Sequence, residues 1–215
     1  MLLVSQLTGF NVGGLFTGLT FYNSATSTAA GITIPAGSPD RSVALLFDFA
    51  QSSASLPTSV IPSGWTQIIA ASGVSVLRLN ISYRILISGD EGDSVTGMEG
   101  DLLNSKVMLV FKGDGPIATA TPADAASEIT AGNPTSQTAT ASGGAAPSLV
   151  FGFAGHFGAS PTFSTESPAF DAEVDEGTNS KVGYKIYNSA PQDHDVDMND
   201  LGGGNALATF YVVCD

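Results

Sequence analysis

Residues 77–87 read LRLNISYRILI, and the alternation within this stretch decides the fold. Leu77, Leu79, Ile81, Tyr83, Ile85 and Ile87 fall on one side of an extended chain, and Arg78, Asn80, Ser82, Arg84 and Leu86 on the other. A period of two marks a half-buried β-strand. Working outward, residues 42–49 (SVALLFDF) set Val43, Leu45, Phe47 and Phe49 against Ala44, Leu46 and Asp48. Residues 107–111 (VMLVF) are apolar on both faces, which predicts a central strand covered on each side. The helical period is hard to find anywhere in the chain.

The three strands recur in order. Residues 148–154 (SLVFGFA) repeat 42–49, with Leu149, Phe151 and Phe153 in the places of Val43, Leu45 and Phe47. Residues 182–187 (VGYKIY) repeat 81–86, matching Tyr184 to Tyr83, Lys185 to Arg84 and Ile186 to Ile85. Residues 206–212 (ALATFYV) repeat 107–112, matching Phe210 to Phe111. Before the second strand of each copy, Pro62 and Trp65 have an echo in Pro168 and Phe170. The expected fold is all-β, an antiparallel, jelly-roll-like β-sandwich with an internal pseudo-twofold duplication. Residues 1–27 read as an N-terminal arm or first strand, and 28–215 as one sandwich. Its half-repeats run over about 28–115 and 135–215, joined by a crossover loop at 113–134, with a possible edge strand at 135–141. A tandem pair of small sandwiches is the alternative, and it leaves large apolar faces exposed in each half.

Composition agrees with many short strands joined by turns. Charged residues are only 13% of the 215, so Ser, Thr, Asn and the 25 glycines must supply much of the polar surface. The net charge is −13, concentrated in residues 116–215, which hold 2 basic and 12 acidic side chains. Such a surface repels phosphate backbones and anionic membranes, which argues against nucleic-acid and membrane partners. Cys214 is the only cysteine, so an internal disulfide and a cysteine-based zinc site are both excluded. No run approaches the length of a membrane span.

Motifs of enzymatic chemistry are missing: there is no G-x-S-x-G elbow, H-E-x-x-H helix, P-loop or dinucleotide fingerprint. The chain is expected not to be an enzyme and to need no cofactor. One cluster could take Ca²⁺, namely Asp193, Asp195 and Asp197, because carboxylates at every second position can converge in a tight loop. The rival reading is the polar face of a strand whose Val196 and Met198 point inward. Arg78, Arg84, Lys181 and Lys185 fall on the outward faces of equivalent strands; they either form a basic docking strip or pair with local carboxylates.

An extended strand ending in TIPAG (33–37), then SVALLFDF, IPSGWTQI, NISYRIL, an acidic turn and VMLVFKG together resemble a β-sandwich module of virion and fibre-associated proteins of tailed bacteriophages. The resemblance runs from about residue 28 to 213, and its most specific piece is PSGWT at 62–66. It implies a structural or adhesive role on a virion, whether as capsid decoration, head fibre or tail component, with assembly in the bacterial host cytoplasm. Other virion proteins or further copies of the chain are the implied partners. An apolar N-terminal arm carrying Leu2, Leu3, Phe10 and Phe16, together with the basic residues, is the expected assembly interface. The alternative is an adhesin recognising host glycans, which needs exposed rings; Trp65, Tyr187 and Tyr211 are the candidates. For Trp65 the competing role is to cap the end of the core.

Overall fold

The computed structural model describes residues 18–140, 147–199 and 201–215. Two five-stranded antiparallel sheets form the body of the sandwich. The first contains β1 (Leu19–Ser27), β3 (Val43–Gln51), β4 (Thr66–Ser72), β5 (Leu77–Ile85) and β7 (Leu103–Gly113), in the order β1-β7-β3-β5-β4. The second contains β8 (Ala120–Thr130), β10 (Ser148–His156), β12 (Ala172–Asp175), β13 (Ser180–Tyr187) and β15 (Asn205–Cys214). Its order, read from the other edge, is β8-β15-β10-β13-β12. Strand for strand the two orders match, so the sandwich is a duplicated all-β fold.

The register fixes how the copies correspond. Leu45 lies opposite Tyr83 and Leu109 in the first sheet. Phe151 lies opposite Tyr184 and Phe210 in the second. Phe210 therefore stands where Leu109 stands, and Phe111 is matched by Val212, not by Phe210. The sequence match was two residues out on this strand. A slip of two keeps every side chain on its own face, so alternation alone cannot detect it.

One core fills the space between the sheets. Val43, Leu45, Phe47 and Phe49 point into it from β3, and Leu149, Phe151 and Phe153 from β10. Their rings interlock across the gap: Phe47 lies 5.8 Å from Phe151 and 5.9 Å from Phe210, and Phe111 lies 5.0 Å from Tyr184. Edge-to-face and offset pairs at these spacings are favourable beyond the area they bury. At the rims, polar contacts lock the sheets together. Ser105 of β7 hydrogen-bonds Ser180 of β13 and donates to Glu176, and the Leu19 amide donates to Asn188 at the other end.

The outer face of each sheet is covered in turn. On the first, β2 (Gly31–Thr33) pairs with β6 (Ser94–Thr96), and they bury Ile32, Ile34 and Val95 against Ala44, Leu46, Met108 and Val110. On the second, β9 (Gln137–Ala139), β14 (His194–Met198) and β11 (Phe163–Ser167) form a three-stranded layer with β14 in the middle. These layers explain why β3, β7, β10 and β15 are apolar on both faces.

The expected crossover loop at 113–134 is not all loop: it contains β8, which pairs along β15 as β1 pairs along β7. Because β8 is an edge strand of mostly small residues, only Ala120 and Ile129 reach the core and no apolar alternation betrays it. The edge strand expected at 135–141 is the short β9. Leu2, Leu3, Phe10 and Phe16 lie outside the described residues.

Candidate functional site

The rings proposed for glycan stacking are all buried. Trp65 ends the turn that begins at Pro62, whose carbonyl accepts the Trp65 amide at 3.0 Å. Its indole packs with Leu46, Leu86 and Met108 on the outer face of the first sheet, so it covers that face and does not cap the central core. Tyr187 and Tyr211 lie together beneath β9 with Ala139 and Val150, ring centroids 6.2 Å apart. The Tyr211 hydroxyl donates to the Gln192 carbonyl, and burial pushes its ionisation well above the usual phenol range. An outer layer that sequence alternation does not reveal has closed over all three rings.

The acidic cluster does not converge. His194, Val196 and Met198 of β14 point into the second sheet, while Asp195 and Asp197 point out between them. Asp195 accepts a hydrogen bond from Thr138 on β9 at 2.6 Å, and Asp197 accepts from the Met198 amide at 2.8 Å. Among the described residues no three histidine, cysteine or acidic side chains are grouped to hold a metal. Asp195 and Asp197 are therefore polar positions of a strand, set apart by its extended rise, and Asp193 lies just before it.

Nor do the basic residues form one strip. Leu79 and Ile81 of β5 and Val182 and Tyr184 of β13 face the same core, so the side chains alternating with them leave the sandwich on opposite sides. Three of the four are held locally. Arg84 pairs with Asp90 at 2.8 Å, Lys181 with Glu173 at 3.1 Å, and Lys185 with Asp171 at 3.1 Å. Arg78 has no ion-pair partner among the described residues.

Two features were not singled out from the sequence. The first is a buried ion pair, Asp48 of β3 with Lys106 of β7, Oδ1 to Nζ 2.9 Å, both side chains almost without exposure. Burial raises the Asp48 carboxyl above its ordinary range, and the Lys106 charge opposes that rise. Its signal was an aspartate within the apolar run of β3 and a lysine at the start of the apolar run of β7. The second is a groove of about 360 Å³ at the end of the sandwich where β3 and β10 finish. The chain between β6 and β7 supplies Asp101 and Leu102, the start of β7 supplies Asn104, and the chain after β10 supplies Phe157, with Asn179 beside them. Leu102 is 51% exposed and Phe157 40%, the two apolar side chains on the lining that reach furthest into solvent. Asp101 is fixed by Ser53, whose amide and hydroxyl donate to it at 2.6 and 2.5 Å and hold its carboxyl below the usual range.

Comparison with protein-family models, with curated proteins and with solved structures gave no match. The class defined here is thus architectural: an antiparallel β-sandwich of two structural copies, with a groove at one end lined by residues of both.

Proposed function

We propose that the chain is a structural surface protein of a tailed-phage virion, as capsid decoration or a head-fibre or tail component, acting through protein–protein contacts. The observation that carries this reading is the end groove. Leu102 and Phe157, one from each copy, stand exposed at the same rim, where a partner surface would cover them. The near-full-length resemblance to virion sandwich modules points the same way. On this reading the protein is not an enzyme, works without a cofactor, and assembles in the host cytoplasm with copies of itself or other virion proteins. Its net charge of −13 disfavours nucleic acid and anionic membrane as partners. The apolar sequence at Leu2, Leu3, Phe10 and Phe16 adds a second contact.

The test is quantitative mass spectrometry of purified virions, counting this chain against the major capsid protein. A fixed stoichiometry, lost when Leu102 and Phe157 are both replaced by aspartate, is the expected result. Absence of the chain from the particles overturns the reading. A glycan-binding role is favoured by one observation: the Phe157 ring shares its groove with Asp101, Asn104 and Asn179, an apolar face beside hydrogen-bonding groups. In that case the isolated protein binds host cells and Phe157→Ala abolishes binding.

A further inference from the structure

We propose that Lys106 and Asp48 become joined by an amide bond between Nζ and Cγ, formed within the folded chain with loss of one water. The two residues are direct cross-strand partners in the middle of the first sheet, so backbone pairing holds amine and carboxyl in contact. Nζ lies 2.9 Å from Oδ1 and donates to the Met98 carbonyl at 2.8 Å, which aims the nitrogen. The Met98 amide donates to Oδ2 at 2.6 Å, where negative charge develops when a nucleophile adds to Cγ. The backbone of Gly97 closes over the pair. A Cβ at that position would fall 2.0 Å from Oδ2, so only glycine lets the chain seal the site. Fixed contact of this kind replaces an encounter between two reactants by an intramolecular step.

The step balances without a co-reactant. One proton passes from Nζ to Oδ1 across the existing contact, giving amine and carboxylic acid, the forms favoured in an apolar interior. The nitrogen lone pair then forms the C–N bond. The C–Oδ1 bond breaks, and Oδ1 leaves as water with the carboxyl proton and one further proton from nitrogen. One N–H remains on the amide.

The duplication supplies the reason to expect more than an ion pair. At the matching positions of the second sheet, Ala154 lies opposite Leu207, and both are buried. An apolar pair therefore satisfies the fold at this place, whereas a buried charged pair carries a large desolvation cost. A covalent tie between β3 and β7 removes that cost and fastens two adjacent strands, which suits a chain exposed on a particle.

Intact-mass measurement of the purified, denatured chain tests this, followed by tryptic mapping. The expected mass is below the sequence mass by one water, with cleavage lost after Lys106 and residues 42–78 linked to 85–112. Lys106→Arg restores the full sequence mass. A wild-type chain at full mass, cut normally after Lys106 even after prolonged incubation, overturns the proposal. So does a water loss that maps to Asp114–Gly115 and is opened by hydroxylamine, because that is a succinimide.

Discussion

Asp48 and Lys106 meet 2.9 Å apart, and Ala154 and Leu207 occupy the same two positions of the other sheet. One molecule thus holds a polar and an apolar solution to the same packing problem. Asp48→Ala leaves Lys106 buried with the Met98 carbonyl but without the carboxylate it faces, and should destabilise by about 3–5 kcal/mol. Asp48→Ala combined with Lys106→Leu copies the second sheet and should recover most of that loss. Denaturant unfolding of both variants measures the difference; equal losses would contradict the equivalence of the two sites.

Phe170 lies over a pair of glycines. Gly152 and Gly183 are opposite each other in β10 and β13, and a Cβ on Gly183 would fall 2.1 Å from the Phe170 ring. The first sheet has Leu46 and Ser82 in these places. Gly183→Ala should therefore be strongly destabilising in the native chain. In a Phe170→Ala background, itself weakened by loss of the ring's packing, the same change should cost little. Non-additivity in a double-mutant cycle is the measurement.

The strands that carry alternation were legible because each faces a core on at least one side. What escaped had physical causes. Phe210 slipped by two places because period-two patterns are blind to even shifts. The β8 strand escaped because an edge strand of Ala, Ser and Thr buries little. Trp65, Tyr187 and Tyr211 read as available rings, since nothing in their own strands shows that β6, β9 and β14 close over them. Leu102 and Phe157 lie in separate loops, more than fifty residues apart in sequence, and only the packing of the two copies brings them together.

Cys214 is buried at the end of β15, and burial, with Asp215 beside it, pushes its thiol up to about 12. The native protein should leave a thiol reagent at mildly alkaline pH unreacted, and denaturant should release one reactive thiol per chain. Rapid labelling of the folded protein would show that this end of the sandwich opens.

Arg84 and Lys185 are equivalent residues on opposite outer faces, each held by its own carboxylate. Arg84→Glu and Lys185→Glu should each cost at most about 1 kcal/mol, because the pairs are partly exposed. Their effects on stability and on particle incorporation should add independently. A synergistic loss of incorporation in the double variant would restore the single basic strip.

His194 is fully buried on β14, its ring stacked 4.6 Å from that of Phe170. Burial lowers its pKa below the ordinary 6.5, and Lys185 acts in the same direction while Asp195 opposes it. The unfolded chain therefore binds this proton more readily than the folded one. Stability from the neutral ring is fully present above pH 6.5 and is lost as pH falls from there toward the folded pKa. Melting temperature followed from neutral to mildly acidic pH should drop accordingly. His194→Leu should flatten that decline, since it removes the buried imidazole. An unchanged slope in the variant would assign the acid sensitivity to other groups.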